Sequence, residues 1–296
     1  MSAAGTPAPP PAQVVDADVA SALAEDIGSG DVTAQLLPDA PDSAYLLCKQ
    51  DCVVAGRPWF DACHRALDAN VRLDWRCGEG DRVAKGTVLA TLQGRNRALV
   101  SAERASLNFL QTLSGVATLT AAYVDAVRGT RAPLPDPLIL DTRKTLPGLR
   151  QAQKYAVRVG GGANHRMALY DAVMLKENHI RAFGSVAAAI AQARALHPAL
   201  PLIVEVETLD QLREALQAGP TRVLIDDFDA NTRREAVRIA HGAPFDGRVP
   251  LEVSGGVDLD TVQSIAADGV DCISIGALTK HVQAIDLSLK LGPPPA

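Results

Sequence analysis

From Pro137 onward, short runs of apolar, β-forming residues alternate with segments of helical periodicity. The six runs are PLILD, DAVMLK, PLIVEVE, RVLIDD, VPLEVSGG and DCISIGA. Alternation of strand and helix patterns predicts βα units that share a parallel sheet. Because no dinucleotide-type glycine fingerprint follows the first run, and because so many strands come in one series, we favour a βα barrel over a doubly wound sheet.

The chain before Pro137 lacks this alternation, which predicts a separate N-terminal domain. Residues 1–13 are rich in Ala and Pro and have the composition of a disordered tail, and VVDADVASALAEDIG predicts an amphipathic helix that ends at Gly28. Strand patterns follow, and a long helix is predicted over about residues 101–128. Within the strand region, GDRVAKGTVLATL resembles the hairpin of biotin- and lipoyl-carrier domains, but no lysine for modification stands in the following QGRNRAL. We therefore interpret it as part of a β-containing scaffold.

Composition and charge argue against several classes of partner. A formal net charge of -5 disfavours a nucleic-acid or anionic-membrane surface as the main partner. The five cysteines form no CxxC pair and lie among apolar neighbours, which predicts reduced, buried thiols. No apolar run is long enough to cross a bilayer, and no basic segment followed by a hydrophobic block opens the chain. We therefore expect a cytoplasmic protein that binds neither nucleic acid nor membrane.

Each predicted barrel strand is apolar until its C-terminal end, where a polar residue or a glycine stands. In a βα barrel these ends meet at one rim, which carries the active site. A charge at a single strand end is often only solvated, but here the pattern is repeated along the series. The positions are residues 141–144, Lys176, Glu205, Asp226, Ser254 and Gly276.

Basic residues are concentrated in three motifs of the barrel region, DTRKT, GGGANHR and VMLKENH. Gathered at one rim, they would repel one another unless a polyanion normally occupies the site. Arginine recognises a carboxylate or phosphate at two points, and lysine supplies a mobile charge. An alternative is that Arg143 and Arg166 form structural ion pairs with Asp141 and Asp171. The basic residues are Arg143, Lys144, His165, Arg166 and Lys176.

Two acidic strand ends, Glu205 in VEVET and Asp226 in LIDDF, predict a metal site. A pair of carboxylates that faces a phosphate site is typical of Mg²⁺ anchors. Strand alternation puts Glu205 and Glu207 on the same face, so either could reach the metal. Asp227 points away from Asp226 if the strand is regular.

Two turns near the C-terminus have the form of phosphate-binding loops. SGG at residues 254–256 precedes the helical pattern DLDTVQSIAADG, and GAL at residues 276–278 precedes TKHVQAIDLSLKL. Backbone amides at strand-to-helix turns bind phosphate, and barrels often place this site on their last two loops. Together the two turns predict a phosphate-monoester site.

Arg104, in SAERASLNFLQTLSG, is predicted at the start of a helix whose other residues are mostly apolar or small. A positive charge at that position opposes the helix dipole, which indicates a function outside the helix. The alternatives are an ordinary ion pair with Glu103 or a side chain that only faces solvent.

These motifs together resemble the quinolinate phosphoribosyltransferases, the carboxylating nicotinate-nucleotide pyrophosphorylases. The resemblance is carried by EDIGSGDVT, SAERASLNFLQTLSG, DTRKTLPGLRQAQKYAVRVGGGANHRMALYDAVMLKENH, VEVET, LIDDF, SGG and GALTKH, and it covers nearly all of the chain after the tail. It implies an α/β fold with an N-terminal α/β sandwich domain and a C-terminal incomplete, seven-stranded βα barrel, one strand more than the runs above. We accordingly expect a disordered tail over residues 1–13, a sandwich domain over 14–118, a catalytic barrel over 119–280, and a C-terminal helix and tail over 281–296 that packs back on the N-terminal domain.

The resemblance also implies a reaction and its ligands. Phosphoribosyl would pass from phosphoribosyl pyrophosphate to quinolinate with loss of CO2, giving nicotinate mononucleotide in de novo NAD biosynthesis, and Mg²⁺ would be the cofactor. The protein would be a homodimer in which Arg104 reaches the active site of the other subunit, and assembly of dimers into larger oligomers is left open.

Residue roles follow from the matching motifs. Quinolinate would contact Arg104, Thr142, Arg143, His165, Arg166 and Lys176. Phosphoribosyl pyrophosphate would contact Lys144, Ser254, Gly255, Gly256, Gly276, Ala277, Leu278 and Lys280. Glu205 and Asp226 would hold Mg²⁺, and the catalytic residues would be Lys144, Lys176, Glu205 and Asp226.

Other functions could use the same residues. Lys144 or Lys176 at a barrel strand end could form a Schiff base, as in many aldolases, although such a lysine needs a desolvated pocket. A non-catalytic homologue could bind a phosphorylated ligand, but it would be expected to have lost Arg104, Arg143 or Lys176, and all three are present. The family also includes a branch associated with molybdate transport genes, which leaves a different substrate open.

Overall fold

The computed structural model describes residues 7–295, and they form two compact units. The first unit comprises the chain up to Ala121, the segment Thr145–Gly161 and the chain from Leu278 onward. The second unit comprises Ala122–Lys144 and Gly162–Ala277. Each unit is therefore assembled from segments that are distant in the sequence.

The helices and strands are numbered in chain order. The helices are α1 (Ala12–Ile27), α2 (Arg57–Leu67), α3 (Asn96–Ala126), α4 (Arg150–Val159), α5 (Glu177–Phe183), α6 (Val186–Leu196), α7 (Leu209–Ala218), α8 (Ala230–His241), α9 (Val262–Ala267) and α10 (Ala277–Lys280). The strands are β1 (Pro41–Cys48), β2 (Cys52–Val53), β3 (Arg72–Trp75), β4 (Arg82–Val83), β5 (Val88–Arg95), β6 (Leu138–Leu140), β7 (Val173–Leu175), β8 (Leu202–Val206), β9 (Arg222–Asp226), β10 (Leu251–Ser254), β11 (Cys272–Ser274) and β12 (Leu287–Leu291).

The first unit is built on a four-stranded antiparallel sheet in the order β12-β1-β5-β3. Alternate residues of β1 are buried, and Leu46 belongs to a core that also contains Leu92 of β5. Phe60 of α2 and Leu110 of α3 join the same core, so helices cover a face of the sheet. The five cysteines of the chain are free, as the sequence predicts, and four of them are buried, whereas Cys77 is only partly buried.

Residues 287–291 form a strand, so the predicted C-terminal helix is wrong. Leu287 and Leu289 are buried and alternate with the less buried Ser288 and Lys290, a period of two rather than a helical period. β12 pairs antiparallel with β1, and Leu289 lies opposite Leu46. The end of the chain thus returns to the N-terminal unit as an edge strand.

Helix boundaries in the first unit differ from two of the predictions. Helix α3 begins at Asn96, so Arg104 lies in its third turn, where the helix-dipole argument does not apply. Helix α1 begins at Ala12, inside the predicted tail, and its end at Gly28 is confirmed by a φ of 51° at that glycine. Residues 1–6 of the predicted tail lie outside the described residues.

The second unit contains a parallel sheet of six strands in the order β6-β11-β10-β9-β8-β7, and these are the six predicted runs. Ala163 forms a single parallel bridge with Leu140 of β6. Its N–H donates to the Ile139 carbonyl at 2.8 Å, and its carbonyl accepts from the Asp141 N–H at 3.2 Å. The seventh barrel position is therefore filled by one bridging residue rather than a strand, which leaves the barrel incomplete.

The parallel register brings the polar strand ends to one edge, the barrel mouth. Ser254 of β10 lies beside Asp226 of β9. A small apolar cluster, which includes Met174, Ile203 and Leu224, stands two residues before the polar ends of β7, β8 and β9. Among residues 7–295, no helix combines the length and apolar character that a membrane span requires.

Candidate active site at the barrel mouth

Lys176 and Glu205 form an ion pair at the ends of β7 and β8. The Lys176 Nζ lies 2.8 Å from Oε2 of Glu205 and 3.1 Å from Oε1. The Glu205 side chain is mostly buried, whereas Glu207 lies beyond the strand end, is exposed, and donates its backbone N–H to Gln211. The carboxylate at the mouth is therefore that of Glu205. The half-exposed, paired Lys176 does not occupy the desolvated pocket that a Schiff-base lysine needs.

The SGG turn adjoins the second acidic strand end. A Cβ atom at Gly255 would lie 3.8 Å from Oδ1 of Asp226, so this backbone passes close to the carboxylate. Gly255 and Gly256 have φ values of 93° and 60°, which glycine adopts without steric cost. Asp227 leaves the strand with a φ of 59°, so the regular alternation that predicted its direction ends at Asp226. The turn is thus an exposed stretch of backbone beside a carboxylate.

The DTRKT loop packs on the GAL turn. The Lys144 N–H donates to Oγ1 of Thr142 at 3.1 Å. A Cβ atom at Gly276 would lie 3.1 Å from Cδ of Lys144 and 3.7 Å from Oγ1 of Thr142. Because Gly276 has no side chain, the aliphatic part of Lys144 can pack against its backbone. The DTRKT and GAL motifs, which are distant in the sequence, are therefore in contact here.

Two carboxylates shape the GGGANHR segment. The buried Asp141 accepts from the backbone N–H of His165 at 2.9 Å and from the side-chain amide of Asn164. Asp171 accepts from the N–H groups of Met167 at 2.6 Å and Ala168 at 2.9 Å. The aspartates that were alternative partners for the arginines thus order the backbone that carries His165 and Arg166.

Arg166 is anchored near a second arginine. Its Nη1 donates to the Ala172 carbonyl at 3.1 Å, and its Nη2 approaches Sδ of Met174 at 3.6 Å. Burial and the positive charge of Arg143 lower the pKa of Arg166, against the opposing charge of Asp171. The positive charge of Arg143 therefore acts on Arg166, and a bound anion would offset this repulsion.

His165 is turned into the barrel rather than out of it. Its side chain is 7% exposed, Nδ1 accepts from the Arg166 N–H at 2.7 Å, and Nε2 lies 3.4 Å from Oε1 of Glu252. Both ring nitrogens therefore have contacts within the protein. Glu252 was not predicted from the sequence, although a glutamate within the apolar run VPLEVSGG is a signal that could have found it.

Three predicted site residues belong to the first unit. Arg104 is exposed on α3. Leu278 is fully buried in α10. Lys280 is exposed at the end of the same helix, and the partly buried Ala277 begins it.

The donor set at the mouth suits a hard cation only in part. Among residues 7–295 there is no group of three His, Cys, Asp or Glu side chains arranged to hold a metal ion. Glu205 and Asp226 supply two carboxylates from neighbouring strands. Mg²⁺ is commonly held by one or two carboxylates together with water and substrate phosphates, so the pair fits this ion when a phosphate is present.

The fold and the mouth define an α/β-barrel protein whose rim gathers basic residues, carboxylates and glycine turns. A family model described as quinolinate phosphoribosyl transferase, N-terminal domain, matches residues 31–114, and the corresponding C-terminal domain model matches residues 116–290. The chain belongs to the quinolinate phosphoribosyltransferase family.

Individual relatives agree along almost the whole chain. The nicotinate-nucleotide pyrophosphorylase [carboxylating] of Mycobacterium leprae is 42% identical over 281 residues, which cover 91% of this chain and 94% of the relative. A quinolinate phosphoribosyltransferase [decarboxylating] of Nicotiana glauca is 40% identical and covers 91% of this chain and 80% of its own. The solved nicotinate-nucleotide pyrophosphorylase of Francisella tularensis superposes with a TM-score of 0.88 at 40% identity, covering 95% of this chain and 97% of that one.

Proposed function

We propose that the protein transfers phosphoribosyl from phosphoribosyl pyrophosphate to the ring nitrogen of quinolinate and releases CO2 and pyrophosphate. The product is nicotinate mononucleotide, a precursor in de novo NAD biosynthesis. The observation that carries the proposal is the barrel mouth, where neighbouring arginines, a paired lysine and two strand-end carboxylates occur in a chain of this family. Such a mouth suits two substrates that each carry several negative charges.

Quinolinate binding is assigned to the cationic side of the mouth. Arg143 and Arg166 would each receive a carboxylate, because a guanidinium binds a carboxylate at two points. Lys176 and the Thr142 hydroxyl would complete the site. His165 belongs to the same site by its place in GGGANHR, and its ring supports the backbone of Arg166.

Phosphoribosyl pyrophosphate binding is assigned to the lysine and glycine side of the mouth. The 5′-phosphate would lie on the backbone of the SGG and GAL turns, at Ser254, Gly255, Gly256, Gly276, Ala277 and Leu278, with Lys280. Lys144 would contact the pyrophosphate. Glu205 and Asp226 would hold Mg²⁺, which, when bound, supplies positive charge against the pyrophosphate oxygens.

The residues of the mouth act mainly by orientation and electrostatics. With its carboxylates held, quinolinate presents the ring nitrogen to the anomeric carbon, and the bond to pyrophosphate breaks as the new C–N bond forms. Lys144 stabilises the charge on the departing group. Alkylation makes the ring nitrogen cationic, so the carbanion left when the adjacent carboxylate departs as CO2 is stabilised by that charge. A proton then takes the place of the carboxylate.

The assignment is tested by choice of substrate. With phosphoribosyl pyrophosphate and Mg²⁺, the purified protein should convert quinolinate and leave nicotinate unused. Turnover of nicotinate in its place would refute the proposal. Sodium borohydride with a carbonyl substrate should trap no adduct at Lys144 or Lys176, and a trapped adduct would favour aldolase-type chemistry.

A homodimer that shares its sites is part of the proposal. Arg104 is exposed on α3, as a residue donated to the other subunit must be. Arg104→Ala and Lys176→Ala should each be inactive, but their mixed dimer contains one site with both residues intact, so mixing should restore part of the activity. Arg143→Ala mixed with Lys176→Ala damages both barrels and should restore none. Equal behaviour of the two mixtures would contradict the shared site. We place the protein in the cytoplasm, which its free cysteines support.

A further inference from the structure

Glu252, the second residue of β10, is a fully buried carboxylate inside the barrel. Its Oε2 accepts from Nη1 of Arg222 at 2.8 Å, and its Oε1 faces Nε2 of His165 at 3.4 Å. Burial alone would raise the pKa of Glu252, but His165, Arg222 and Ser274 outweigh it and hold the pKa below its ordinary value. Glu252 is thus an ionised carboxylate buried below the barrel mouth. Burying a charge costs desolvation free energy, which indicates that this carboxylate has a function.

The contacts of His165 define which of its nitrogens carries the proton. A neutral imidazole has one N–H, and Nδ1 accepts from the Arg166 N–H at 2.7 Å. The proton therefore resides on Nε2, which is the atom that faces Glu252. An anion 3.4 Å from Nε2 favours the tautomer with the proton on that atom by electrostatic attraction, although Oε1 of Glu252 accepts no hydrogen bond from the described residues.

Arg166 is the next member of the chain of contacts. Its backbone N–H is held by the His165 ring, and its guanidinium is held by the Ala172 carbonyl at 3.1 Å. The side chain is therefore fixed at both ends, which limits the directions in which it can point. A continuous path of contacts leads from Arg222 through Glu252 and His165 to the arginine of the mouth.

We propose that Glu252 is a positioning residue for the quinolinate site: it fixes His165 with Nδ1 unprotonated, and His165 fixes the backbone from which Arg166 reaches the substrate. The inference rests on the proposed function for its kinetic part. Glu252 and Arg222 touch no substrate themselves. They orient the Arg166 guanidinium before the substrate binds, so that less conformational entropy is lost on binding.

The kinetic test uses Glu252→Gln, which keeps the shape of the side chain and removes its charge. The KM for quinolinate should rise about tenfold, as when a partner that orients a ligand is lost, while the KM for phosphoribosyl pyrophosphate stays unchanged. Asp268→Asn is the matched control, because the Asp268 side chain is also mostly buried and paired with arginine in the same unit, but its partners are Arg233 and Arg234, which lie outside the path. It should leave both KM values unchanged even if it lowers the melting temperature.

An unchanged KM for quinolinate in Glu252→Gln, or an equal rise in both KM values, would overturn the inference and leave a purely structural ion pair. If Glu252→Gln does not fold, Arg222→Gln tests the same inference, because Arg222 is less buried and its loss removes the 2.8 Å hydrogen bond that it donates to Glu252. A rise confined to the KM for quinolinate supports the inference in that variant too.

The structural test needs no substrate. Nitrogen-15 spectra of histidine-labelled wild-type protein should show His165, assigned by its loss in His165→Asn, as the Nε2–H tautomer, and Glu252→Gln should shift it toward Nδ1–H. A wild-type Nδ1–H tautomer would overturn the inference. This readout stands even if the protein does not convert quinolinate, so failure of the proposed function and failure of the positioning role can be told apart.

Discussion

The clearest consequence of the mouth geometry concerns Gly276. This glycine does not have a positive φ, so alanine can adopt its backbone conformation without strain. A Cβ atom there would nevertheless lie 3.1 Å from Cδ of Lys144. Carbon atoms in contact prefer a separation of about 3.5–4.0 Å, so Lys144 must move by roughly 0.4–0.9 Å in Gly276→Ala.

The displacement falls on the residue assigned to the pyrophosphate. Misplacement by about 1 Å can cost about 100-fold in rate, so a smaller shift should cost about tenfold in kcat/KM for phosphoribosyl pyrophosphate. That factor corresponds to about 1.4 kcal/mol of transition-state stabilisation. Folding stability should not fall, because the Lys144 side chain is exposed and can move, and because alanine reduces the freedom of the unfolded chain.

The assay is steady-state kinetics with phosphoribosyl pyrophosphate varied at saturating quinolinate, together with the melting temperature. Gly78→Ala is the control, because Gly78 also lacks a positive φ and its Cβ would meet Asp81 at an ordinary 3.5 Å. The reasoning is refuted if Gly276→Ala keeps the wild-type kcat/KM. It is also refuted if the loss is accompanied by an equal loss in Gly78→Ala.

Two further outcomes follow from the structure. Burial lowers the pKa of His64 to about 4, and neither ring nitrogen has a hydrogen-bond partner among the described residues. The free energy of unfolding should therefore be greatest above the ordinary histidine pKa of 6.5 and should fall as the pH decreases toward 4, by about 2 kcal/mol at about pH 5. Urea unfolding of His64→Leu should not show this decrease. The same pH dependence in His64→Leu and the wild type would contradict the burial argument. Asp226→Asn should raise the Mg²⁺ concentration for half-maximal activity by about tenfold or more. Asp227→Asn, an exposed change beyond the strand end, should leave it unchanged, and equal effects would remove Asp226 from the metal site.

The six barrel strands could be predicted from the sequence because each is an apolar run with a polar end, a pattern that depends only on local residues. The sequence was not sufficient for the seventh barrel position. Ala163 stands in GGGANHR, which has no β-forming side chains, and it is held by backbone hydrogen bonds to β6. The strand β12 was missed because its short alternation overlaps a helical pattern, and because the partner that stabilises it, β1, is about 240 residues away in the sequence.

The residues of the candidate site likewise include some that could be predicted from the sequence and some that could not. Glu205, Asp226 and Lys176 could be predicted from their places at strand ends. The direction of His165 could not, because it depends on Glu252, which approaches from another strand. Side-chain direction inside a barrel is set by contacts between strands, and these do not appear in the periodicity of either strand alone.

The central claim is that this barrel mouth joins phosphoribosyl to quinolinate and removes the adjacent carboxylate. The most direct measurement is incubation with quinolinate that carries carbon-13 in its 2-carboxyl group, with phosphoribosyl pyrophosphate and Mg²⁺, followed by mass spectrometry of gas and nucleotide. Labelled CO2 and unlabelled nicotinate mononucleotide should appear in equimolar amounts, and Lys176→Met should produce neither. Nicotinate mononucleotide without labelled CO2, or no nucleotide from quinolinate at all, would contradict the account.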